Sequence, residues 1–516
     1  MHSSDLRIQS VAPRLPLILT AVGALVGTLF VGAAIGQGNF IQVYMLLFAL
    51  AALACVLALG SKYWLLIPIA FSFNLPAIPF GGRAFELPEL AIILCTIVFA
   101  CRYAMYPRGV FLIRPAYAGV ILYSAWAGLI WRLHPVGLWA MGSASGGARF
   151  YFKIALALAA FLILANQKIT ERDAKWVIRL LLIGSIVSMT FEIIKYKLYG
   201  QVYVDPQAEA QEYYTWHQAM ALPAMWIMLW IAARYKTKEI LNLGRAWMLV
   251  LGIACVVVAT MSGKRAVLAS VLATPLMAAM LRKEYFYVLC SAIFASILIT
   301  VLTFGQGDLF RLPLQAQRSL SYLPGKWDWE VRGQFQTGID PFRKEMRELA
   351  WNNIKKHPFV GEGYGVNLHE LWGIASHRDL HMLTIVSLAL GSQWHNTWLG
   401  IWADFGFPAV VFWAIFWIQS IRNGHWVYRK TLHGSPFRTL VLMLLLYFIA
   451  DILRSWTSGH SATDPFTRWW MYGIMLSLAA SLQRQSSPKT ASTFNRTPFQ
   501  TAEVRGALSE SSARNA

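Results

Sequence analysis

Charge is scarce in this chain. Only 14% of its 516 residues are Asp, Glu, Lys or Arg, against roughly a quarter in soluble domains. A fold in water needs a polar coat, and too few polar side chains are available here to make one, which excludes a water-soluble globular protein. Acidic residues are scarcer still: 25 stand against 45 Lys and Arg, for a formal net charge of +20. In a soluble protein that excess would point to nucleic acid. These cations are scattered between apolar runs and form no patch or binding signature, so no nucleic-acid partner is expected. Cysteine is also rare. Cys55, Cys95, Cys101, Cys255 and Cys290 all lie within or at the end of apolar runs, and none lies in the one long polar stretch. A disulfide framework or a cysteine-based metal site is therefore not expected there.

What is abundant is apolar sequence: 57% of residues, with Trp 22 and Phe 29. About fourteen apolar segments are long enough, or nearly so, to span a bilayer. They lie near 15–36, 40–59, 63–80, 88–101, 115–131, 150–166, 176–196, 217–233, 246–261, 265–281, 285–304, 397–420, 438–452 and 466–482. Backbone polar groups in lipid need internal partners, and the runs are too continuously apolar for barrel strands. The expected fold is an all-α polytopic membrane protein with about 12–14 transmembrane helices. The apolar run near the start is about 20 residues, longer than a signal-peptide core of about 7–15, and reads as a retained first helix. The chain divides into N-terminal helices (1–304), one large polar loop (305–395), C-terminal helices (396–483) and a tail (484–516) with no apolar periodicity, expected to be disordered.

Lys and Arg set the orientation. With a cytoplasmic N-terminus, about 20 basic residues fall in inside loops and about 10 in or beside short outside loops. Both termini are then expected to be cytoplasmic, and loop 305–395 to lie outside. The segment 200–218, which has acids but no Lys or Arg, lies there too.

A loop of about 90 residues is too long to be a simple connector. Phe342, Met346, Leu349, Ala350 and Ile354 recur at helical spacing, predicting an amphipathic helix over 341–356 lying on or near the membrane. Pro358 limits that helix, and GEGYG at 361–365 supplies a tight turn. The glycines also resemble a phosphate cradle, though without a preceding strand. His369, His377 and His381 bring no matching carboxylates, so no metal is expected. Arg347 reads either as a solvated cation or as an anion ligand. His395 reads as a helix-start residue, with Asn396 as a cap or as an orienting partner. SGKRA at 262–266 sits between two apolar segments at the outer end. An arginine there, Arg265, is costly and functional by default. Arg265, Arg347 and His395 thus share one membrane face, where two guanidiniums and an imidazole suit a lipid-linked phosphate.

Arg347 followed by Trp351, then PFVGEGYG at 358–365 and HNTWL at 395–399 with Gly406 beyond, together resemble the O-antigen ligase and polymerase family. The likeness is strongest over about 340–410 and extends loosely to SGKRA, where Lys264 and Ala266 depart from the family's pattern. It implies a GT-C-like membrane glycosyltransferase. Such an enzyme moves a glycan from an undecaprenyl-diphosphate carrier to a periplasmic acceptor, either lipid A-core or a growing glycan, with no metal and no nucleotide cofactor. By the same resemblance, His395, Arg347 and Arg265 carry the chemistry. Lys264, Trp351, Gly361, Gly363, Gly365 and Asn396 are the accompanying substrate-binding candidates. Ligase, polymerase and protein O-glycosylation remain open within the family. A transporter is the reading from another class, against which stands the single large loop that breaks any two-half symmetry.

Overall fold

A computed structural model of the chain describes residues 58–73, 78–80, 83–105, 114–135, 148–199, 219–329, 331, 339–364, 394, 396–456 and 463–486. The predicted span 15–36 and nearly all of 40–59 lie outside these residues, as do His369, His377, His381, the site candidates Gly365 and His395, and the tail from 487.

A 3-10 turn, Gly60–Leu65, leads into α1 (Leu66–Phe73). A hairpin of β1 (Ile78–Phe80) and β2 (Arg83–Phe85) follows, antiparallel with Ile78 opposite Phe85. All the remaining long elements are helices: α2 (Leu87–Met105), α3 (Ala118–Leu133), α4 (Ala148–Ala165), α5 (Glu171–Tyr199), α6 (Ala221–Arg234), α7 (Ala246–Met261), α8 (Arg265–Leu281), α9 (Tyr285–Gly305), α10 (Leu314–Leu320), α11 (Ile339–Lys356), α12 (Thr397–Lys430), α13 (Pro436–Ser455) and α14 (Thr463–Ser486). Among the described residues, seven helices are long and apolar enough to cross a membrane, and α6 and α8 are shorter apolar helices. The fold class is the expected all-α polytopic one, with the three-residue strands as its small exception.

Local signals fix the helix starts. Ser435 caps α13, its hydroxyl accepting the Arg438 N–H at 3.2 Å, with Pro436 in the first turn. Thr170 and Asp173 exchange bonds as a capping box for α5, Thr170 N–H to the carboxylate at 2.9 Å. Each such cap is worth about 1 kcal/mol.

Packing decides the rest, because lipid gives helices no hydrophobic reason to associate. α13 runs through the middle: residues 440–446 are fully buried, against α12, α8, α6 and α5. α14 lies along α4, and Gly473 allows the approach, since a Cβ there would stand 2.9 Å from the Phe161 carbonyl oxygen. α9 is peripheral, packed on α8 with Phe286, Leu289, Phe294 and Ile297 exposed.

The starts of α4, α8, α12 and α14 and the ends of α3, α7 and α13 meet at one end of the bundle, beside α10 and α11. Cross-bonds show this directly: Tyr364 N–H to the Tyr151 hydroxyl (3.2 Å), Thr397 to Asp464, Trp398 to the Ser455 hydroxyl (2.8 Å) and Ser319 to the Thr260 carbonyl (2.6 Å). This is the loop end.

Candidate active site

The centre of the loop end is a broken helix. Gly406 in α12 has φ +77° and ψ 175°, a conformation essentially confined to glycine, and Pro408 has no N–H to give. Phe407 N–H turns away and Pro408 has none, so Ala403 O and Asp404 O lose their helical donors, and Phe405 O lies at the same break. They are met from elsewhere: Glu362 N–H donates to Ala403 O (2.9 Å), Gly363 N–H to Asp404 O (2.8 Å) and Trp126 Nε1–H to Phe405 O (2.6 Å). In return, Phe407 N–H donates to the Pro358 carbonyl at 2.9 Å, as does Trp402 Nε1–H. The groups at the kink named here are thus paired by residues 358–363 or α3. Gly361, at φ +71°, presses its Cα against the Asp404 backbone, and a Cβ on Gly406 would collide with the Phe359 carbonyl. The N–H groups of Glu362 and Gly363 that a phosphate cradle would present are occupied by helix carbonyls.

The predicted amphipathic helix is present as α11. Its apolar side, Met346, Ala350 and Ile354, is covered by Trp394 and Ala403, with Leu399 and Trp402 alongside, so the helix packs on α12. The opposite side faces out and carries Arg347, whose Nε–H donates to the Arg343 carbonyl at 3.2 Å. Trp351 is 46% exposed and meets Trp402 edge-on at 5.8 Å; Trp402 in turn meets Phe407 at 5.6 Å. Asn396 is the N-cap of α12, its Oδ1 accepting Leu399 N–H at 3.0 Å. The capping bond is present; an orienting contact would fall on His395, which lies outside the described residues.

SGKRA forms the turn between α7 and α8. Gly263 turns the chain at φ +70°, Lys264 is the N-cap and Arg265 the first residue of α8. Arg265 reaches α10: its Nε–H donates to the Arg318 carbonyl at 3.2 Å and Nη2–H to the Ser321 hydroxyl at 3.1 Å. Lys264 keeps surface exposed to solvent, yet the protein packed around its ammonium lowers its pKa below the usual lysine value, with the Glu192 carboxylate opposing the shift. The contacts of Lys264 and Arg265 run to α10 and α5, and those of Arg347 and Trp351 to α11 and α12. Both groups lie at the loop end.

Two further features were not singled out from the sequence. Asp404, 4% exposed, accepts the indole N–H of Trp394 at 3.0 and 3.2 Å, which ties the residue before His395 to the broken helix. Asp451, 2% exposed, pairs with both Arg454 and Arg468, and Arg468 also reaches Asp464 at 2.5 Å. Asp464 accepts the Thr397 hydroxyl, so a buried ionic chain ends at the first turn of α12. Charges inside apolar runs are the sequence signal for this network, but their pairing depends on which helices meet.

Residues 247–414 match the family model described as O-Antigen ligase. The matched stretch runs from α7 through the break in α12 and holds every site candidate read from the sequence. It supports a glycan-processing membrane enzyme of the ligase or polymerase kind. No curated protein matches the chain.

Proposed function

Because residues 247–414 match the O-Antigen ligase family model, we propose that the chain transfers a glycan from an undecaprenyl-diphosphate carrier to an acceptor at the loop end, on the periplasmic face of the inner membrane. The observation that carries this reading is the assembly at one end of the bundle. The Arg265 turn, α11 with Arg347, and the capped start of α12 next to His395 all gather where a lipid-borne donor would meet a hydrophilic acceptor.

The chemistry follows from the residue types. The acceptor hydroxyl oxygen attacks the anomeric carbon of the donor glycan. The carbon–oxygen bond to the diphosphate breaks, and its electron pair leaves with the polyprenyl diphosphate. The hydroxyl proton passes to the imidazole of His395, whose ordinary pKa of about 6.5 suits a general base near neutrality. A diphosphate leaves readily but needs its growing charge stabilised, the role of Arg265, Arg347 and Lys264. Asn396 holds the helix start, Gly361 and Gly363 shape the loop at the break, and Gly365 is a further binding candidate of the same segment. The acceptor is lipid A-core in the ligase form of this reading and a growing lipid-linked glycan in the polymerase form.

Reconstitution with an undecaprenyl-diphosphate oligosaccharide, beside a His395→Ala control, tests it. Transfer that requires lipid A-core supports the ligase form, and longer lipid-linked chains with donor alone support the polymerase form. No transfer to any acceptor, together with solute movement by the His395→Ala protein, would favour a transporter instead.

A further inference from the structure

The end of the bundle away from the large loop gathers three turns. Residues 234–245, 282–284 and 429–438 hold nine Lys and Arg against two carboxylates, Glu239 and Glu284. The turns touch one another. Arg282 donates to the carbonyls of Ala232, Ala233 and Tyr235, Arg234 to the Gly434 carbonyl, and the Thr237 hydroxyl to Glu284 at 2.6 Å. Arg245 lies over the Tyr235 ring at 5.6 Å and pairs with Glu239 at 3.0 Å. Carbonyl partners leave the charge of Arg234 and Arg282 in place. Burial, then Lys236 and Arg438, hold the His433 imidazole below its ordinary pKa, so a cation of the first turn is felt on the third. An orientation signal needs only basic residues in each loop. Contact between the loops is more than that requires.

The same corner is bordered by exposed apolar side chains. Leu243, 93% exposed, and Trp247 flank Arg245 where α7 begins. Tyr285 and Phe286 are exposed where α9 begins, directly after Lys283 and Glu284. Both helices are long and apolar enough to cross a membrane. The cations at their starts therefore lie at headgroup depth, where Trp and Tyr also settle.

We propose that this corner binds an acidic phospholipid, with its phosphate on the cations of the three turns and its acyl chains along α7 and α9 from their exposed starts. A phosphodiester headgroup carries the complementary charge, and each Lys or Arg near it adds attraction. The acyl chains cover Leu243 and Phe286, which a free phosphate would leave bare. The site needs neither glycan donor nor acceptor, so it stands or falls apart from the reading under Proposed function.

Native mass spectrometry of the full-length protein in detergent, titrated with cardiolipin, phosphatidylcholine or glycerol 3-phosphate, tests this. The wild type is expected to bind cardiolipin about tenfold or more tighter than phosphatidylcholine, and glycerol 3-phosphate more weakly than cardiolipin. The triple variant Lys236→Gln, Lys283→Gln, Lys430→Gln takes one cation from each turn and should lose about tenfold or more in cardiolipin affinity, while the matching Lys→Arg triple binds as the wild type. Lys344→Gln, Lys355→Gln, Lys356→Gln removes the same charge at the loop end and should leave the affinity unchanged. Equal losses in the two Gln triples would mean that net charge alone attracts the lipid, and would overturn the site. So would a wild-type protein that binds both lipids alike. Glycerol 3-phosphate bound as tightly as cardiolipin would overturn the lipid as the occupant. If the first Gln triple does not stay monodisperse, Lys236→Gln and Lys430→Gln taken singly decide the matter: each should lose affinity about fivefold, and no loss in either overturns the site.

Discussion

At the end of the bundle away from the large loop, arginines finish helices. Arg282 donates to the carbonyls of Ala232, Ala233 and Tyr235 at the end of α6, Arg234 to Gly434, and Arg438 to Thr431 while lying over the Tyr428 ring. Their partners are neutral, so the positive charge stays on that face, as an orientation signal requires. Carboxylates there have modest duties: Asp173 caps α5 beside Lys62, and Glu284 accepts from Thr237. That end also has single ion pairs, Lys62 with Asp173 and Arg245 with Glu239, whereas at the loop end the pairs join into networks. Asp451, Asp464 and Glu89 are buried and paired with buried or half-buried cations, and α12 is broken and mended by a distant segment. Buried ion pairs are poor sources of net stability. Their concentration beside an irregular backbone fits an end shaped for polar chemistry in an apolar surrounding.

The sharpest way to break this contrast is at the mended helix. Gly406→Val adds a side chain onto the Phe359 carbonyl in a glycine-only conformation. The expected cost is about 3 kcal/mol or more, seen as loss of the monodisperse peak in fluorescence-detected size exclusion. A variant that elutes as wild type would mean that the loop and helix are not interlocked. Asp451→Ala leaves Arg454 and Arg468 buried without their shared carboxylate, and about 3–5 kcal/mol should be lost in thermal unfolding; a change below about 1 kcal/mol would show the pairs to be solvated.

The other end should respond differently. Arg282→Gln gives up charge-assisted bonds to three carbonyls and should cost about 1–3 kcal/mol, while glycan transfer per folded molecule stays at the wild-type level. Loss of transfer at full stability would erase the distinction between the ends. The smallest effect is expected at His433, in the turn between α12 and α13. Burial, then Lys236 and Arg438, hold its pKa below the ordinary 6.5. The unfolded chain therefore takes up this proton first, and the stability present above that value declines as pH falls below it toward the folded pKa. Melting curves between about pH 7 and 5 should show a shallow decline that His433→Gln flattens; an unchanged slope would remove the cation cluster as its cause.

Much of the scaffold could be read from apolar runs, since long continuous hydrophobicity has one structural outcome in lipid. α9 and α13 fall on predicted segments 285–304 and 438–452, and α11 spans Ile339–Lys356 against the predicted 341–356. Asn396 was visible as a cap because capping is local. The non-local features were not legible. The segment 397–420 reads as one span, yet Gly406 and Pro408 break it, and Gly361 makes sense only against Asp404, Gly363 only against His134 and Tyr151. The covered face of α11 had the same periodicity as a helix lying on a membrane, and only tertiary contact shows that α12 covers it.

The central claim is that the loop end is the face on which transfer occurs. In proteoliposomes, orientation can be scored with an impermeant thiol reagent on Lys356→Cys in a cysteine-free background, with donor and acceptor sealed inside or supplied outside. Product should form only in the compartment that the loop end faces, and should disappear in His395→Ala at unchanged melting temperature. Product formed in the compartment facing Arg234, Arg282 and Arg438 would contradict the account.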